Sequence, residues 1–131
     1  MELKVNKTEK PWGYELLWAK TENYMGKYIH INAGYKTSKK YHQVKEETFY
    51  VLKGILYSYD ANGSITRVLP GGHIHVKPHQ IHQFGANETS VTLIEVSTPH
   101  LYDVIRIEDD YNRVKTEEDE LEELYRIYGG D

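Results

Sequence analysis

Five of the seven histidines fall between positions 42 and 82, and two segments there carry the residue types that bind metal ions. The first holds His42 and Glu47 and closes on Gly54. The second, Gly71-Gly-His-Ile-His-Val-Lys-Pro-His-Gln-Ile-His82, is rich in imidazole. Glu47, Phe49 and Val51 alternate, which places them on one face of a strand. If that face points inward, Glu47 is a carboxylate in an apolar interior, and such a group needs a cation or a strong donor. Two imidazoles, His42 and His82, complete an N,N,O ligand set of the kind that leaves coordination positions open for a substrate. The expected cofactor is a divalent metal ion, zinc first, with manganese, iron or nickel as alternatives.

Around this set the sequence offers groups able to move protons or hold anions. Lys40, two residues before His42, shares its strand face and points toward the same cavity. It either pairs with Glu47 or binds a substrate oxyanion. Glu95, in Leu93-Ile-Glu-Val96, alternates away from Ile94 and Val96, as a pocket acid or base or as a surface residue. His75 shares a strand side with His73 and is a third candidate for proton transfer, with the barrel wall or surface as the equal alternative. Arg106, Arg113 and Lys10 are candidates for binding phosphate, although Glu108, Asp109 and Asp110 offer the two arginines salt bridges instead. His79 reads as a loop residue, and Trp12 and Phe49 as core.

These side chains need a scaffold of short strands. The apolar and β-branched runs are short and regularly spaced: 14–18, 27–32, 38–42, 48–52, 55–59, 64–68, 73–76, 80–85, 91–96 and 104–107. Turn signals separate them at Ala33-Gly34, Lys53-Gly54, Asn62-Gly63, Pro70-Gly71-Gly72 and Lys77-Pro78. Such spacing predicts a sandwich or small barrel, and residues 1–9 an arm or edge strand. After position 116 the pattern changes. Thr116 and the acids that follow suit a helix start, and Leu121, Leu124, Tyr125 and Tyr128 recur at helical spacing before Gly129-Gly130. One helix is expected over about 117–128, packed outside a barrel of about 10–113.

The four segments Lys10-Pro-Trp-Gly13, Ser38-x-x-Tyr-His42-x-x-Lys-x-Glu47, Leu93-Ile-Glu-Val96 and Ile105-Arg-Ile-Glu-Asp-Asp-Tyr-Asn-Arg113 resemble, in order, those of the type II mannose-6-phosphate isomerase cupin. That cupin is also the C-terminal domain of bifunctional mannose-1-phosphate guanylyltransferases. The resemblance spans about residues 10–113. It implies an all-β cupin double-stranded β-helix, a divalent metal and a sugar phosphate. The chain departs from the pattern at Lys40, where the family has a glutamine able to ligate metal. It also departs at Gln43-Val44, where the family continues a histidine run, and at His79, where it has a glycine.

Composition narrows the remaining possibilities. The 131 residues suit one domain. A formal net charge of −4 argues against a nucleic-acid partner. There are no cysteines, which removes disulfides and thiolate ligands. No apolar run reaches the roughly 20 residues of a membrane span, and the N-terminus lacks the apolar core of a secretion signal. The expectation is a cytoplasmic homodimer, paired through exposed strand edges, that acts on a small sugar or sugar phosphate. The leading activity is a metal-dependent sugar or sugar-phosphate isomerase or epimerase in carbohydrate metabolism. The alternatives are a non-catalytic cupin that binds a sugar or small acid, and a metal-dependent oxygenase.

Overall fold

The structure is a computed structural model that describes residues 5–108. Within that range the chain forms eleven strands and no helix: β1 (Asn6–Lys10), β2 (Gly13–Lys20), β3 (Met25–Ile31), β4 (Lys39–Tyr41), β5 (Glu47–Lys53), β6 (Leu56–Tyr59), β7 (Ile65–Val68), β8 (His73–Val76), β9 (Gln83–Gly85), β10 (Val91–Ser97) and β11 (Ile105–Glu108). The helix expected over 117–128 lies outside the described residues, as does Arg113.

Six strands form one antiparallel sheet in the order β1-β2-β3-β10-β5-β8. Opposite it are a three-stranded sheet, β7-β6-β9, and a pair, β11-β4. Single bridges between Lys36 and Gly85 and between Lys40 and His82 join these two pieces, so the second layer runs continuously from β11 to β7. The N-terminal arm is thus an edge strand. Its Lys7, Glu9 and Lys10 are the kind of charged edge that discourages pairing with a second chain.

Alternation decides which side chains meet between the layers. On β3, Lys27, Ile29 and Ile31 face inward; on β5, Glu47, Phe49 and Val51; on β10, Val91, Leu93, Glu95 and Ser97. Strand pairing sets these rows in register. Leu93 lies opposite Val51 and Ile29, whereas Glu95 lies opposite Phe49 and Lys27, and Ser97 opposite Glu47. One end of the interior is therefore apolar. Ile31, Val51, Leu56, Val76, Val91 and Leu93 have no exposed surface, and burying each such side chain contributes about 1.5–3 kcal/mol relative to exposure. Phe49 meets Phe84 of the opposite layer edge-on, with ring centroids 4.8 Å apart. The other end is polar and open.

Two glycines allow close backbone approaches at the apolar end, beside Val91 and Ile31. Gly54 turns β5 into β6 with φ +79°, and a Cβ there would fall 2.1 Å from the carbonyl oxygen of Ser90. Gly13 opens β2 where a Cβ would come within 1.9 Å of the His30 carbonyl oxygen. That close approach lets Trp12 sit buried at the end of the cavity, its carbonyl accepting from Asn32 N–H at 2.8 Å.

Candidate metal centre and its cavity

His42 follows β4, Glu47 opens β5, and His82 immediately precedes β9. One ligand atom from each lies within 4.8 Å of those of the other two, and all three side chains are buried. Nε2 of His42 is 3.2 Å from Glu47 Oε2, and Nε2 of His82 is 3.6 Å from the same oxygen. The outer ring nitrogens fix what these atoms present. Nδ1 of His42 donates to the Asp103 carbonyl and Nδ1 of His82 to the Gln80 carbonyl. A carbonyl only accepts, so in each neutral ring Nε2 carries a lone pair. Three lone pairs thus converge on one small volume, and neither His42 Nε2 nor Glu47 Oε2 has a hydrogen-bond partner. That arrangement is repulsive by itself and suits a cation bound among the three atoms. The donor set fits a divalent metal ion of the zinc, manganese, iron or nickel kind.

Glu47 divides its two oxygens. While Oε2 faces the imidazoles, Oε1 accepts from the Lys45 ammonium at 2.7 Å. The same ammonium is 3.1 Å from Glu95 Oε2, which also accepts from Ser97 Oγ at 2.8 Å. Burial would raise the Glu47 carboxyl, but the Lys45 ammonium outweighs it and holds the group well below the usual carboxylate range. Burial would likewise discharge Lys45, yet its two carboxylates keep it charged. For His82 burial dominates and lowers the imidazole to about 4, so the ring is neutral near pH 7.

A second buried pair lies alongside. Lys27 Nζ donates to Glu15 Oε1 at 2.9 Å. Glu15 would be raised by burial but is lowered to about 2 by Lys27, with Lys10 and Lys40 adding to the effect. Because Lys27 is the cross-strand neighbour of Glu95, charges alternate in sign across the cavity floor from Glu15 through Lys27, Glu95 and Lys45 to Glu47. The cavity encloses about 640 Å³ including its open mouth. Lys10, Lys40 and Arg106 complete its polar wall, and Leu101 and Val104 form an apolar lip.

The expected site residues divide as follows. His42, Glu47 and His82 converge; Lys40, Glu95, Lys10 and Arg106 line the same cavity. His75 does not. It lies opposite Thr48 on the outward face, accepts or donates at Thr48 Oγ1 at 2.8 Å, and meets Glu46 at 2.8 Å. Since Glu47 and Phe49 point inward on β5, Thr48 and its cross-strand partner must point out. Lys40 is in the cavity, but the ammonium in contact with Glu47 is that of Lys45. Burial lowers Lys40 to about 8 despite nearby Glu15 and Glu47. His79 is a loop residue with φ +66°. Trp12 and Phe49 belong to the core cluster.

Lys27, Glu15 and Asp103 are not site candidates in the sequence, and Lys45 enters it only as a position of the His42-x-x-Lys-x-Glu47 segment. Asp103 has no exposed surface, and its carboxylate accepts three successive backbone N–H groups. Oδ1 takes Gln43 at 3.1 Å, and Oδ2 takes Val44 at 2.7 Å and Lys45 at 2.9 Å. Burial would raise this carboxyl, but those N–H donors outweigh burial and hold it low.

No protein-family model and no curated protein sequence matches the chain, but solved structures do. KdgF from Halomonas sp. superposes with a TM-score of 0.65 at 20% identity, over 72% of this chain and 87% of that one. An RmlC-like cupin from Shewanella frigidimarina gives 0.64 at 20%, over 73% and 85%. A sugar phosphate isomerase of the cupin superfamily from Silicibacter pomeroyi gives 0.58 at 21%, over 65% of this chain and 58% of that one. At these identities the likeness is one of fold, and it agrees with the two facing antiparallel layers and the polar cavity between them: the chain has the cupin double-stranded β-helix fold.

Proposed function

We propose that the protein is a metal-dependent isomerase or epimerase of a sugar phosphate, similar in action to the mannose-6-phosphate isomerase cupins. The observation that carries this reading is the convergence of His42 Nε2, Glu47 Oε2 and His82 Nε2 inside a cavity with a surplus of positive charge. Five cationic side chains (Lys10, Lys27, Lys40, Lys45, Arg106) line it, against three carboxylates (Glu15, Glu47, Glu95). In a chain whose formal charge is −4, that local excess favours an anionic substrate. The cupins it resembles in fold include a sugar phosphate isomerase.

When bound, a divalent ion, zinc in the first instance, supplies Lewis acidity to adjacent substrate oxygens. The protein's own groups do the rest. Arg106, Lys10 and Lys40, on the cavity wall, hold the phosphate. Glu95 carries the proton between neighbouring carbons; Lys45 and Ser97 hold its Oε2 in place, leaving Oε1 for the substrate. The Leu101 and Val104 lip excludes water from the reacting carbons. Two chains pair as a homodimer through an edge other than β1, whose charges discourage pairing.

A second reading, a non-catalytic cupin that binds a sugar or small acid, draws on Lys45, which neutralises Glu47 without any ion. One experiment separates the two. The purified protein is analysed for metal, then incubated in D2O with a panel of aldose and ketose phosphates and followed by NMR. Stoichiometric metal, exchange of a C1 or C2 proton, and loss of both in Glu47→Gln support the isomerase. Absence of metal together with absence of exchange refutes it and leaves the binder. Bound iron with oxygen consumption would point to an oxygenase.

A further inference from the structure

We propose that Asp103 is the positioning residue of the metal site, an inference that rests on His42, Glu47 and His82 holding an ion. A metal centre works fast and binds tightly when its ligands face one another before the ion arrives. Here one residue does this in two ways. Its carbonyl takes the Nδ1 proton of His42, which sets the tautomer and turns Nε2 toward Glu47. Its carboxylate gathers the N–H groups of Gln43, Val44 and Lys45, which pins the segment that joins His42 to Glu47. The pinned segment also carries Lys45, the cation that occupies Glu47 Oε1 and so leaves Oε2 alone for the ion.

Asp103 belongs to the connection between β10 and β11, far along the chain from the segment it holds. Its neighbours Leu101 and Val104 line the cavity. The lip of the cavity and the geometry of the ligands are therefore tied together through one fully buried side chain. A residue that only supported the fold would contribute equally with and without metal. A positioning residue changes how the ion is held.

Co2+ is the probe, because its visible spectrum reports ligand geometry. Asp103→Asn keeps size and one acceptor but turns an amide donor toward an N–H group. It should weaken Co2+ affinity about 10–100-fold and alter the spectrum of the saturated protein, while Gln43→Ala, which keeps its backbone N–H, leaves both unchanged. An Asp103→Asn protein that is folded and binds Co2+ with unchanged affinity and spectrum overturns the proposal. Should that variant fail to fold, amide hydrogen exchange of the wild type decides. Protection of Gln43, Val44 and Lys45 in the metal-free protein equal to that in the Co2+ form supports a site held ready by Asp103, and protection that appears only with Co2+ overturns it. Wild-type protein that takes up no Co2+ removes the metal reading itself, a result distinct from any of these.

Discussion

Replacing Lys45 by Met would leave two buried carboxylates facing each other with the intervening cation gone. Because one ammonium touches both, at 2.7 and 3.1 Å, the two oxygens are at most about 6 Å apart. At an effective dielectric of about 20, two unit charges at that separation repel by about 3 kcal/mol, in line with the 3–5 kcal/mol cost of breaking a buried pair. That repulsion is worth about a hundredfold in proton affinity, enough to lift one carboxyl from its usual value of 4.5 toward neutrality. The sign then follows. In the wild type Glu47 is lowered, so its stabilising contribution is present above pH 4.5 and is lost as pH falls through its folded value. In Lys45→Met the folded value is raised, so the penalty is small at pH 5, where one carboxyl is protonated, and reaches about 3 kcal/mol by pH 8. Urea unfolding in EDTA at both pH values measures it. A variant as stable as wild type at pH 8, or equally destabilised at both, would refute the view that one ammonium holds these two charges apart.

Two further outcomes follow from the same cavity. Lys40→Gln removes a cation that disfavours charge on His82 and should tighten Zn2+ binding several-fold by calorimetry while weakening turnover of a phosphate substrate; weaker Zn2+ binding would refute the repulsion. In metal-free protein His82 takes up its proton only near pH 4, against 6.5 in the unfolded chain. Stability should therefore fall as pH drops from 6.5 to 4, and His82→Phe should flatten that slope in a pH series of unfolding curves.

The scaffold and the convergence of His42, Glu47 and His82 were legible because both rest on alternation and turns. The strand runs at 27–32, 73–76 and 91–96 reappear as β3, β8 and β10 with ends shifted by no more than two residues. Glu47 shares a period-two face with Phe49 and Val51, so it points inward once that apolar face is the buried one. Lys27 shares a face with Ile29 and Ile31 in the same way, but a lone lysine among isoleucines carries no chemical signal by itself. Lys45 lies in the segment before β5, where no period applies. Asp103 was invisible because its partners are backbone N–H groups some 60 positions away, which any sequence possesses. For His75 the sequence leaves pocket and surface equal, because its direction depends on being opposite Thr48, a matter of pairing between strands.

The lengthwise change along β3, β5 and β10, from isoleucine, valine and leucine to lysine and glutamate, has a consequence for how such a protein can change. Folding stability is concentrated at the closed end and the candidate site at the open one, yet both are written on the same three strands two residues apart. Inward substitutions at Glu95 and Ser97 face Lys27, Lys45 and Glu47 as well as Phe49, and the polar groups among these can rearrange or admit water. The same substitution one step along, at Leu93, meets only packed hydrocarbon. New specificities can thus be tried at one end of a strand while the other end keeps the chain folded, and the step between Leu93 and Glu95 is where tolerance should turn to intolerance.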